Sequence, residues 1–146
     1  MDLNRFTTKA QQAVIAAQRL AESYNHSELE PLHLLLALLQ QTDGVVPQVI
    51  SKIGARLQSV LADVQSALAS RPKVYGSAAQ VGASRAAIDV LTRAESEAGK
   101  MRDDYVSTEH ILLALTQDRT AGDLLARHGV TADEVLKALT SIRGGQ

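Results

Sequence analysis

Four histidines, His26, His33, His110 and His128, are the side chains most open to chemistry in this chain. Two stand in matched phrases, Pro31-Leu32-His33-Leu34-Leu35-Leu36-Ala37-Leu38 and Thr108-Glu109-His110-Ile111-Leu112-Leu113-Ala114-Leu115, so His33 and His110 lie 77 residues apart (110 − 33). An internal duplication could bring them together at a symmetry axis. Structural zinc takes four ligands, however, and the chain has no cysteine and no His-x-x-x-His pair. Glu30 and Glu109 are not at equivalent positions, which leaves a symmetric metal site incomplete. Both histidines are therefore expected to be structural residues of a first helical turn, and no metal is expected. His26 and His128 fall at expected helix ends, where an imidazolium would suit the helix dipole.

Other reactive groups assemble no more than this. No serine has a G-x-S-x-G setting, and most serines and threonines fall where helix caps are needed. The carboxylate pairs Asp103-Asp104, Glu95/Glu97 and Asp133-Glu134 read as solvated surface. No G-x-x-x-x-G-K-S/T loop is present, and Gly76 and Gly82 read as turn residues. No catalytic residue and no cofactor site is expected.

The elements that position these residues come from the duplication. At the same offset Ala10 falls on Ala87, Val14 on Leu91, Ala17 on Ala94, Ala21 on Ala98, Tyr24 on Met101 and Leu29 on Val106. After the phrases the offset drops by two, and Gly54 meets Gly129. Apolar residues at helical spacing (Ala10, Ala13, Val14, Ala17, Leu20, Ala21) predict a first helix, capped by Thr7 or by Thr8 with Gln11. Pro31 opens a second helix, apolar almost all round and so expected to be central and buried. Pro47 is expected to start a third, ending at Gly54, and Leu57, Val60, Leu61, Val64 and Leu68 mark a fourth. The plan repeats from Ser84, with Ser107 or Thr108 capping the second phrase, a short helix ending before Gly129, and a capping box at Thr131-Ala132-Asp133-Glu134. Residues 71–83 lack periodicity and read as a linker. The prediction is all-α: eight helices in two pseudo-twofold-related four-helix repeats, with repeat one over 1–70, linker 71–83, repeat two over 84–142 and a flexible exit over 143–146. The two central helices should meet near the axis.

Composition narrows the function classes. With 146 residues the chain can bury its own core. A net charge of −1 gives no field for nucleic acid or an anionic membrane, and 3% aromatics supply no stacking platform. No stretch approaches the roughly 20 apolar residues of a membrane span, and the N-terminus has no apolar run with a cleavage site, so a cytoplasmic location is expected.

The duplicated His-Leu/Ile-Leu-Leu-Ala-Leu phrase resembles the Clp N-terminal domain of the Clp/heat-shock ATPases. Asn4-Arg5-Phe6-Thr7-Thr8-Lys9, Glu30-Pro31-Leu32-His33-Leu34, Arg71-Pro72-Lys73-Val74-Tyr75-Gly76, Asp104-Tyr105-Val106-Ser107-Thr108-Glu109-His110 and Ile142-Arg143-Gly144-Gly145-Gln146 resemble the ClpB disaggregase branch. That resemblance implies a non-catalytic, monomeric module that recruits unfolded or aggregated polypeptide for a homohexameric ATP-driven ring working with the DnaK system. ATP and magnesium would belong to ATPase domains beyond residue 146. It places Thr7, Asp103 and Glu109 on a partner-binding surface, with Leu91 and His110 near a groove between the repeats, although Leu91 also has the spacing of a core residue. Arg93 and Glu97 stand where relatives can show leucines. An adaptor-docking domain of the ClpA/ClpC kind is the alternative.

Overall fold

The computed structural model of the chain describes residues 2–76 and 80–144; residues 77–79 of the expected linker and 145–146 of the expected exit lie outside the described residues. Eight helices are present among them. Repeat one supplies α1 (Thr8–Ser23), α2 (Pro31–Leu39), α3 (Val45–Ile53) and α4 (Leu57–Ala69); repeat two supplies α5 (Arg85–Lys100), α6 (Thr108–Leu115), α7 (Arg119–Arg127) and α8 (Ala132–Arg143). The mostly helical, duplicated architecture is the one predicted.

Helix starts follow cap chemistry. Thr7, Ser84, Asp118 and Thr131 each accept a backbone N–H from three residues on, satisfying donors that no helix can satisfy internally. Alanine lets α1 approach α2 closely, because Ala10, Ala13, Ala17 and Ala21 are all fully buried. Ala87, Ala94 and Ala98 do the same for α5 against α6. Every residue of α2 is buried, and α2 touches α6. The central helices thus meet as expected. One start differs from expectation: α3 begins at Val45, so Pro47 is its third residue. Proline is tolerated there because the first N–H groups of a helix have no internal partner.

The repeats interlock. α3 packs on α8 and α6, and α2 packs on α7. Two short backbone pairings, absent from the sequence reading, also cross between repeats. β1 (Glu28–Leu29) pairs in parallel with β2 (Gly82–Ala83), joining Leu29 to Ala83. An isolated parallel bridge joins Phe6 to Val106. At the 77-residue offset Phe6 corresponds to Ala83 and Val106 to Leu29, so the two pairings are one contact stated twice. The lead-in to α1 is pinned to the lead-in to α6, and the lead-in to α5 to the lead-in to α2. The Thr7 N–H donates to the Val106 carbonyl at 2.9 Å, and the Ser84 N–H to the Leu29 carbonyl at 2.9 Å. This exchange sets Thr7 beside the start of α6.

Candidate functional site

Each histidine of the repeated phrase closes the start of its own helix. The His33 Nδ1 accepts the Glu30 N–H at 2.8 Å, and the His110 Nδ1 accepts the Ser107 N–H at 2.9 Å. That assigns the ring proton to Nε2 in both. From there the copies diverge. His110 Nε2 donates to the Asp103 carboxylate at 2.7 Å, whereas His33 Nε2 meets His26 Nδ1 at 2.8 Å. His26 and Asp103 are equivalent positions, 77 residues apart. The symmetry therefore pairs each phrase histidine with a residue of its own repeat and not with the other phrase histidine. Among the described residues no group of three or more His, Cys, Asp or Glu side chains is arranged to hold a metal ion.

In repeat two the network continues outward. Arg143, the last residue of α8, donates from Nη2 to Glu109 at 2.8 Å and to Asp103 at 3.2 Å. Burial raises the Glu109 pKa, but the Ser107 hydroxyl and the Arg143 guanidinium outweigh it and leave the carboxyl below its ordinary range. Burial likewise raises Asp103, and hydrogen bonds from His110 and Arg143 outweigh it. The pair therefore holds two negative charges against one guanidinium, and Glu109 in turn keeps Arg143 charged. His110 is fully buried, while the Asp103 and Arg143 side chains are about 28% and 34% exposed, so the network runs from core to surface. Arg143 also lines a cleft of about 460 Å³ with Met101, Leu136, Leu139, Thr140 and Gly144.

Of the five residues singled out from the sequence, Asp103, Glu109 and His110 form one bonded cluster, and the Phe6–Val106 bridge brings Thr7 to the same end of α6. Asp103 is not loose surface: it holds the ring behind it and the arginine before it. Leu91 stands apart, buried at 5% exposure as a core residue of α5. Sequence reasoning missed Arg143, which the expected boundary placed in the exit. No sequence signal marked it, since the position matching Arg143 at the 75-residue offset is Leu68; the comparable contact in repeat one comes from Arg71, just beyond α4, which bonds Glu30 at 3.3 Å.

Ser107, His110 and Asp103 could be mistaken for a hydrolytic triad, since the Ser107 Oγ lies 3.0 Å from His110 Nδ1. That nitrogen already receives the Ser107 backbone N–H, and its ring is buried. Repeat one builds the same cap with Glu30 in place of the serine, so the hydroxyl serves the helix start and is not a poised nucleophile.

Two further expectations are corrected. His26 is buried and not a solvated imidazolium: burial first, then Lys73, lowers its pKa. Among the described residues its buried Nε2 has no hydrogen-bond partner within bonding geometry, and its ring stacks on Tyr24 at 5.2 Å. Burial, His26 and Arg71 lower His33 to about 4. Glu97 is also not surface. It is 7% exposed on α5, bonded to Lys100 at 3.3 Å and Gln117 at 3.5 Å, while Arg93 reaches Gln117 at 3.0 Å. These contacts make the α5–α6 wall polar. His128 is at the end of α7, where it meets Asp63 of α4 at 2.9 Å.

Comparison with known proteins agrees with this architecture. The chaperone protein ClpB of Bacillus cereus is 39% identical across the whole of this chain, which spans only 17% of that relative. The Hsp104 N-terminal domain from Candida albicans superposes with a TM-score of 0.86 at 26% identity, covering 98% of this chain and 94% of that one. A ClpV N-domain in complex with a VipB peptide shares the fold, with a TM-score of 0.74 at 19% identity over 96% of this chain and 90% of that one. The family model for the Clp repeat (R) N-terminal domain matches residues 5–128, and the chain belongs to that family.

Proposed function

We propose that this domain recruits unfolded or aggregated polypeptide at the surface around the first turn of α6 and delivers it to an ATP-driven ring of the ClpB type. The observation that carries the reading is the convergence of Asp103 and Glu109, two carboxylates held ionised at a surface that Thr7 borders. A fixed, partly exposed pair of charges fits recognition of a polypeptide and needs no bond chemistry. Its work is selection and local concentration, which the ring would then convert into unfolding. ATP and magnesium, the DnaK system and a homohexameric ring are proposed for a longer protein of which this would be one module. Within the chain itself no catalytic step is assigned to any residue.

The test is a binding measurement on the chain and its Asp103→Asn/Glu109→Gln variant, using a permanently unfolded, carboxymethylated protein as probe. Weakened binding by a variant with an unchanged helical spectrum is expected. Unchanged binding would sink the reading. Docking of a folded adaptor, as in the ClpA/ClpC branch, is a second reading. It is favoured by the Arg93–Gln117–Glu97 network, which gives the α5–α6 wall a polar face. Strong binding to a folded partner and none to unfolded chains would select it.

A further inference from the structure

Arg71, two residues beyond α4, and Arg143, at the end of α8, each bond a carboxylate of a central helix's start but differ in what they leave over. Arg71 meets one carboxylate, Glu30, at 3.3 Å, because the position matching Asp103 is His26. Arg143 meets two, Glu109 at 2.8 Å and Asp103 at 3.2 Å. Repeat one is a balanced pair; repeat two keeps one negative charge in excess, at a site where the arginine is a third exposed. The same arginine forms part of the wall of the apolar cleft beside Met101, Leu136 and Leu139. Leu136, on that cleft, is exposed at 39% although it is a large aliphatic residue. Arg143 is also the last residue of α8, so its contacts hold the final helical turn.

We propose that Arg143 is an internal occupant of the acidic pair, displaced when a polypeptide presents a basic side chain next to an apolar one. The incoming guanidinium or ammonium takes the place of Arg143 between Asp103 and Glu109. The neighbouring apolar side chain enters the Leu136 cleft. The last turn of α8 is then released. This rests on the recruitment reading and adds to it the class of segment preferred and the residue that competes with it. The charge match is shown by the chain itself, which already seats a guanidinium there. The competition follows from one seat serving two cations, and a partly exposed ion pair is weak enough to exchange.

The experiment uses the whole chain, its Arg143→Gln variant and its Arg143→Lys variant. Two fluorescent twelve-residue probes are compared, one carrying Arg-Leu pairs and one with glutamate in place of each arginine. Circular dichroism melts check that the variants fold. Arg143→Gln should bind the basic probe about fivefold more tightly than the parent, the equivalent of one weak ion pair removed from competition. Arg143→Lys should fall between, and the acidic probe should bind poorly to all three. Hydrogen exchange at amides 140–144 of the parent should quicken on adding the basic probe. Arg143→Gln binding the basic probe no better than the parent, or equal binding of the two probes, overturns the displacement while leaving recruitment standing. Binding of neither probe by parent or variant would remove both.

Discussion

Replacing His26 with aspartate gives the buried pair of repeat one the chemistry of repeat two. In the parent, His33 Nε2 donates to His26 Nδ1, and the His26 Nε2–H is buried with no partner among the described residues. His33 is lowered to about 4 by burial, His26 and Arg71. A histidine whose folded pKa lies below its unfolded value of about 6.5 leaves the folded state binding fewer protons than the unfolded one. Its contribution to stability is complete above the unfolded pKa and is lost as pH falls toward the folded pKa. The full loss is about 3 kcal/mol, from roughly 2.5 units at 1.36 kcal/mol each; at pH 5 about 2 kcal/mol is already gone. His26 is lowered too and acts in the same direction. Carboxylates obscure little of this window: Asp43, Asp103 and Glu109 are lowered, so the stability they add is lost mainly as pH falls below their unfolded values of about 4, beneath the range compared.

Aspartate at position 26 would accept from His33 Nε2 as Asp103 accepts from His110, and the cations Arg71 and Lys73 act on that site already. It removes the orphaned N–H, worth about 1–3 kcal/mol, and loses the ring stack on Tyr24, worth about 1 kcal/mol. At pH 7.5 the two effects largely offset. The difference appears on acidification. Urea unfolding at pH 7.5 and 5.0 should show a loss of about 2 kcal/mol for the parent and less than about 0.5 kcal/mol for His26→Asp. NMR titration of the His33 ring should move its pKa upward in the variant. Equal losses for the two proteins, or a parent His33 that titrates near 6.5, would refute the reasoning.

Gly122→Ala should destabilise the fold by about 1–3 kcal/mol, because a Cβ there would lie 2.6 Å from the Thr116 carbonyl oxygen, which is backbone and cannot swing away; a denaturant midpoint reads it. Thr7→Ala should cost about 1 kcal/mol through the lost cap on Ala10, and hydrogen exchange should quicken in the first turn of α1 before it does in α5. Leu113→Ala, in the fully buried phrase of repeat two, should cost about 2–5 kcal/mol in the same unfolding assay, far more than truncating the exposed Ile15.

Most of the helical plan was legible because it depends on local chemistry. Thr7, Ser84, Thr131, Gly54 and the alanine spacing act within a few residues of themselves. The duplication then doubled each signal. What stayed hidden depends on contacts far apart in sequence. Two-residue pairings such as Leu29 with Ala83 carry no periodicity to detect, yet they decide that Thr7 lies beside α6. Glu97 looked like surface because a charged residue on a helix usually is, and only Lys100 and Gln117 make its burial tolerable. Arg143 looked like the beginning of a flexible tail, since nothing local to it reveals carboxylates 34 and 40 residues earlier. His33 and His110 were read well as structural residues of a first turn. Their partners were missed, although the offset of 77 links His26 to Asp103 and contains that contrast.

Recruitment at the first turn of α6 is tested most directly by a ¹⁵N-labelled NMR titration of the chain with a permanently unfolded, carboxymethylated protein. Shifts concentrated at Thr7, Asp103, Ser107, Glu109 and Arg143, and reduced in Asp103→Asn/Glu109→Gln, are the expected result. Shifts confined to residues 71–76, or none with several unfolded probes, would contradict it.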